Sequence, residues 1–249
     1  MVSLRSQNVL LWWSIAFLLI YFLALAFLVH MFPPVDPQWS SAEIAAFYQE
    51  NSAQIRLGAM LSGVTGGGFL PFAIVIAAQI YRVERQEKDK APVWTWLTMV
   101  AGGLQAIVLA LPMMWWGVAA YTPTRSPDVT AATHELATLT WIASDQWFFF
   151  VWIPVAVICL LPKTMTHSPF PRWFGYYSIF TALIFECGVL PYLSRTWVFG
   201  WNGLLPFWAP IVTFSIWMVT MYVMLFKAIR AQVADDTPST AAAEVWAAR

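Results

Sequence analysis

The sequence predicts an all-α polytopic membrane protein: a bundle of six transmembrane helices with a short amphipathic helix in the first outside loop. Three observations predict it. Apolar residues make up 60% of the 249 and charged residues only 10%, whereas a soluble domain carries about 25% charged residues. Stretches 8–32, 57–81, 94–120, 136–161, 173–194 and 205–229 each reach the roughly 20 mostly apolar residues that a spanning helix needs. Finally, Lys and Arg concentrate in alternate segments. With the N-terminus inside, ten of the 13 basic residues fall inside and only Arg56, Arg125 and Arg195 outside. Such a bias places both termini in the cytoplasm. Residues 1–230 then form one transmembrane domain, and 231–249 form a cytoplasmic tail of Ala, Thr, Asp and Ser without fixed structure.

Each element has its own signals. The stretch 8–32 is too long and Trp-rich for a cleaved signal peptide, and no small-x-small site precedes Pro33 and Pro34. It reads as a retained helix, ended by Pro33, Pro34 and Pro37. Ser40 and Glu43 then have capping-box spacing. Ile44, Phe47, Tyr48, Asn51 and Ile55 follow as one helical stripe, which predicts a short helix covering the outer ends of the bundle. The stretch 57–81 holds Gly58, Ser62, Gly63, Thr65, Gly66, Gly67 and Gly68. Gly63 and Gly67 have GxxxG spacing, and Gly58, Ser62 and Gly66 form a second small stripe, both suited to close helix packing. Followed by Pro71, the same run also fits a broken helix lining a cavity. No Gly-Lys-Ser/Thr follows it, so it is no nucleotide loop.

Gln105 is the polar residue of the third stretch, which ends in the outer cluster Pro112, Met113, Met114, Trp115 and Trp116. The 16 tryptophans of the chain are expected as interfacial belts. A formal net charge of zero points to neither nucleic acid nor an acidic partner. Cys159 and Cys187 fall at opposite depths of the fourth and fifth spans, too far apart for a disulfide.

Asp145 and Glu186 are the residues that point to a site. Acids inside spanning helices are costly and usually face a bundle interior or a watery cavity. At 1.5 Å per residue, Asp145 lies about 13 Å and Glu186 about 12 Å below the outer helix ends. The glycine run with Gly66 falls in the same outer-half layer, and Gln105 slightly deeper. Along the fourth span Thr138 shares the face of Asp145, and Gln146 adds an amide. Asp145, Glu186, Gln105, Gln146, Thr138 and Gly66 are thus the expected ligand-binding set. Asp145 and Glu186 are also the candidate catalytic pair. A protonated acid both donates and accepts hydrogen bonds, which suits a hydroxyl or carbonyl of a lipid-like molecule or general acid work. The structural alternative is that both acids only lock helices together. His30, His134 and Glu135, with nearby methionines, are weak metal candidates, because no ligand spacing such as HxxxH or CxxC accompanies them. No metal and no cofactor beyond a bound lipid is expected.

Three segments carry a resemblance: 39–48, with Trp39, Glu43 and Tyr48; 169–173, with Pro169, Pro171 and Trp173; and 199–203, with Gly200, Trp201 and Gly203. They resemble an uncharacterised family of six-pass bacterial inner-membrane proteins. That resemblance implies a bacterial inner membrane and no activity. The expected function is to bind or help move a hydrophobic small molecule or lipid through an outer-half cavity, with the bilayer and other membrane subunits as partners. The alternatives are an intramembrane enzyme doing isomerase-like acid–base chemistry on a sterol- or terpenoid-like substrate, and a purely structural subunit.

Overall fold

The computed structural model describes residues 3–86, 90–162 and 168–236, apart from the side chains of 145, 146 and 233–236. Among the described residues the chain is helical throughout, with no strand. Helix α1 (Leu4–Phe27) starts where the Ser3 hydroxyl accepts the Ser6 N–H at 3.1 Å. Helix α2 (Ser41–Thr65) opens with the expected capping box. Ser40 Oγ accepts the Glu43 N–H at 3.3 Å, and Glu43 Oε2 accepts the Ser40 N–H at 2.8 Å.

The predicted surface helix is not a separate element. No Pro or Gly lies between Ser41 and Gly58, so the capped helix runs on into the second span. Its stripe turns inward, with Ile44, Tyr48 and Ile55 buried. A single 3₁₀ turn at Gly66–Gly68 joins α2 to α3 (Phe69–Glu84). The rod Ser41–Glu84 has 44 residues, about 66 Å and twice the thickness of a hydrocarbon core. The rod is therefore longer than one crossing needs, and its first turns carry Glu43, Glu50 and Gln54.

Helix α4 (Val93–Tyr121) begins where the Glu84 carboxylate accepts the N–H groups of Trp94 at 3.0 Å and Thr95 at 2.8 Å. It is the hub of the bundle, packed against α2, α3 and the next helix, α5 (Pro127–Ala143). The predicted continuous helix over 136–161 is broken. After α5 come a 3₁₀ turn (Asp145–Phe148) and then α6 (Phe149–Leu160). At the break Ser144 Oγ donates to the Thr140 carbonyl, a back-bond that bends helices. The fifth span divides likewise into α7 (Arg172–Phe185) and a 3₁₀ turn (Glu186–Tyr192). Helix α8 (Ala209–Asp236) is entered through a π turn at Leu204–Trp208 and continues past residue 231; residues 237–249 of the expected tail lie outside the described residues.

Five helical rods are long and apolar enough to cross a membrane: Leu4–Phe27, Ser41–Glu84, Val93–Tyr121, Arg172–Tyr192 and Trp197–Gln232. The apolar α6 has only 12 residues, about 18 Å, and crosses only if the broken rod is counted with α5. Leu19, Leu23, Val212, Ile216 and Val219 are all exposed. Such a perimeter suits lipid and not water. The architecture is that of an α-helical multi-pass membrane protein.

Candidate functional site

Departures from α geometry gather in one layer. The 3₁₀ turn Asp145–Phe148 packs on Glu186–Tyr192, which packs on the π turn Leu204–Trp208, while Gly66–Gly68 and Asp145–Phe148 both pack on α4. Both acids open a 3₁₀ turn, Asp145 on one rod and Glu186 on the other. The turns approach their neighbours closely: a Cβ on Gly188 would stand 2.6 Å from the Ile142 carbonyl oxygen. Irregular helix at membrane depth is tolerated only where protein or a cavity surrounds it, and it often marks functional sites.

A narrow crevice of about 20 Å³ lies within this layer, lined by Leu109, Trp141, Phe148, Phe185, Phe207 and Phe214, with Phe22, Ile142, Pro206, Pro210 and Ile211 completing it. Its walls are interlocked rings. Phe148 meets Phe185 at 5.9 Å and Phe214 at 5.0 Å, and Trp141 meets Phe207 at 6.0 Å between centroids. That volume holds about one water molecule.

Three buried polar groups flank the crevice without a hydrogen-bond partner among the described residues. They are both amide atoms of Gln105, the Trp116 indole N–H and the Trp152 indole N–H. Each is one step from the lining. Gln105 precedes Leu109 by one turn of α4, Trp116 packs its ring on Trp141 at 5.8 Å, and Trp152 stacks on Phe148 at 5.4 Å. Gln105 is fully buried. Buried amides in native proteins almost always have partners, so this one is informative.

The other expected residues scatter. Glu186 is exposed on the bundle perimeter, beside Trp147, Phe149 and Phe150, where a shallow surface pocket of about 320 Å³ opens. The side chains of Asp145 and Gln146 lie outside the described residues. Gly66 is buried as a packing residue: a Cβ there would stand 3.3 Å from the Leu109 carbonyl carbon and the Ala110 nitrogen. Thr138 is buried, with its hydroxyl 3.4 Å from His134 Nε2.

The metal candidates do not assemble. His134 is buried against α2, its Nδ1 bonded to the Tyr48 hydroxyl at 2.9 Å and its ring 5.8 Å from that of Trp201. His30 bonds Gln54 at 3.0 Å, and Glu135 pairs with Arg195 at 3.0 Å. Among the described residues no three His, Cys, Asp or Glu side chains group to hold an ion. The continuation of α2 covers His134, with Tyr48 bonded to its ring.

Sequence reasoning also missed the other end of the bundle. There Gln7 of α1, Gln79 and Arg82 of α3 and Gln232 of α8 are all buried and joined. Arg82 Nη1 donates to Gln79 Oε1 at 2.9 Å, and Gln79 Nε2 donates to Gln7 Oε1 at 2.7 Å. Glutamines spaced along three separate spans were the available signal. Compared with family models, curated proteins and solved structures, the chain matches none.

Proposed function

We propose that this is a six-pass protein of a bacterial inner membrane, both termini cytoplasmic, that binds or helps move a hydrophobic small molecule or lipid through the outer-half layer. In this reading the broken rod Pro127–Leu160 supplies the sixth crossing, and the protein serves as an accessory subunit of a membrane complex. One observation carries the proposal: three buried polar side chains without a hydrogen-bond partner among the described residues, led by Gln105, lie just behind the lining of one aromatic crevice. An amide left unbonded in a dry interior costs about 1–3 kcal/mol, and a ligand bearing a carbonyl or hydroxyl would recover that. The crevice is too small for such a ligand as it stands, so binding requires Phe207 or Trp141 to swing aside and widen it. The isomerase alternative requires both acids in one pocket; Glu186 stands at the perimeter, and no described residue favours that chemistry.

Native mass spectrometry of the detergent-purified protein tests the proposal, comparing wild type with Gln105→Leu. The expected result is a defined small-molecule adduct on wild type that is reduced in the variant. Equal adducts on both, or none on wild type, would remove Gln105 from any binding role.

A further inference from the structure

The segments that open at the two acids have an outward face as well as an inward one. Phe148 is buried and lines the aromatic crevice, whereas its neighbours Trp147, Phe149 and Phe150 are 44%, 38% and 44% exposed. The same division falls between Phe185, which lines the crevice, and Glu186, which is exposed. Trp147, Phe149, Phe150 and Glu186 together line the surface pocket of about 320 Å³, near the lower end of the range for small-molecule sites. This pocket backs onto the wall made by Phe148 and Phe185, and it stands whether or not the crevice holds a ligand.

Glu186 lies deep in its rod whichever way the rod points. It follows the 14 residues of α7, about 21 Å, and the 3₁₀ turn that it opens carries the chain about 12 Å further to Tyr192. Leu183 and Val189, on either side of it, are exposed and apolar. No hydrogen bond or ion pair reaches its carboxylate. Arg195, the nearest basic residue in sequence, is paired with Glu135 at 3.0 Å. An ionised carboxylate at such a depth requires an opposite charge beside it, and the described residues supply none. The rings around it have the complementary property. Phe149 and Phe150 meet at 5.9 Å between centroids with their planes at 86°, forming a corner to which Trp147 adds a third ring. Aromatic faces attract organic cations, and the face of Trp does so most strongly. Carboxylate and rings therefore select the same charge, and the apolar surroundings select a molecule soluble in lipid.

We infer that this pocket binds a lipophilic organic cation, a quaternary ammonium or phosphonium, with its charge at Glu186 and its apolar arms on Trp147, Phe149 and Phe150. Such a molecule enters sideways from the hydrocarbon, because all four residues face the perimeter of the bundle. A choline headgroup carries the same ammonium, but its phosphate holds it at the bilayer surface, away from the depth of Glu186.

Isothermal titration calorimetry of the full-length protein in a neutral detergent, against tetraphenylphosphonium and against tetraphenylborate, tests this. The two ions share one shape and carry opposite charge. The cation is expected to bind saturably at one site, and the anion to give only the heat of the micelle blank. Glu186→Gln should weaken the cation about tenfold or more by removing the counter-charge. Trp147→Leu should weaken it about threefold or more by removing a ring face, and it decides if Glu186→Gln fails to fold. No binding of the cation, equal binding of both ions, or undiminished binding in either variant would overturn the inference. Three further outcomes would reassign the residues and overturn it as well. Loss of binding in Gln105→Leu would move the cation into the crevice, and displacement by phosphatidylcholine would give the pocket to a lipid headgroup. A protein that copurifies with wild type in place of cation binding, and is lost in Glu186→Gln, would give the acid to a partner helix.

Discussion

An amide with no partner in a dry interior costs about 1–3 kcal/mol, and among the described residues Gln105 has none for either of its polar atoms. Gln105→Leu has nearly the same size and no polar group to strand. It should therefore stabilise the ligand-free protein by about 1–3 kcal/mol, measured as a rise in Tm after lipid has been stripped; a fall in Tm would mean that water already satisfies the amide.

Helices here meet through particular glycines, and the GxxxG pair is not the one used. A Cβ on Gly58 would stand 2.7 Å from Leu28 Cβ and 2.9 Å from the Val29 backbone nitrogen, whereas one on Gly63 meets only Met113 Cβ at 3.9 Å and one on Gly67 meets nothing within 4 Å. Gly58→Ala should cost about 1–3 kcal/mol through forced separation of α1 and α2. Gly63→Ala should be neutral or gain up to about 1 kcal/mol from helix propensity. Guanidinium-free thermal melts of the two variants check the order, and a reversed order would refute the packing described. Both stripes were legible in the sequence as small residues at helical spacing, but helix rotation was not, so the choice between them required the fold. For the same reason Asp145 and Glu186 were legible as two acids at matching depth, while the outward direction of Glu186 was not. The breaks that begin at the two acids were hidden because apolar composition runs across them unchanged.

Across the whole molecule, composition made the membrane class legible, because 60% apolar residues cannot be covered in water. The boundary between α2 and the expected surface helix was illegible, because a capping box starts a helix but says nothing about where that helix stops. Arg82 was legible only as a topogenic charge, because its partners Gln7, Gln79 and Gln232 come from helix ends far apart in sequence. A six-pass arrangement predicts that Ser3→Cys and Ser194→Cys, made in a Cys187→Ser background, label from opposite sides of sealed vesicles with a membrane-impermeant maleimide. Labelling from the same side would make the number of crossings between them even and exclude this topology. The central claim, a hydrophobic ligand bound in the outer-half layer, is tested most directly by an experimental density map of the protein purified with native lipid. The account predicts non-protein density in a widened crevice between Trp141, Phe148 and Phe207, with a polar atom within hydrogen-bond distance of the Gln105 amide; a closed crevice with the amide bonded to protein or to a single water would contradict it.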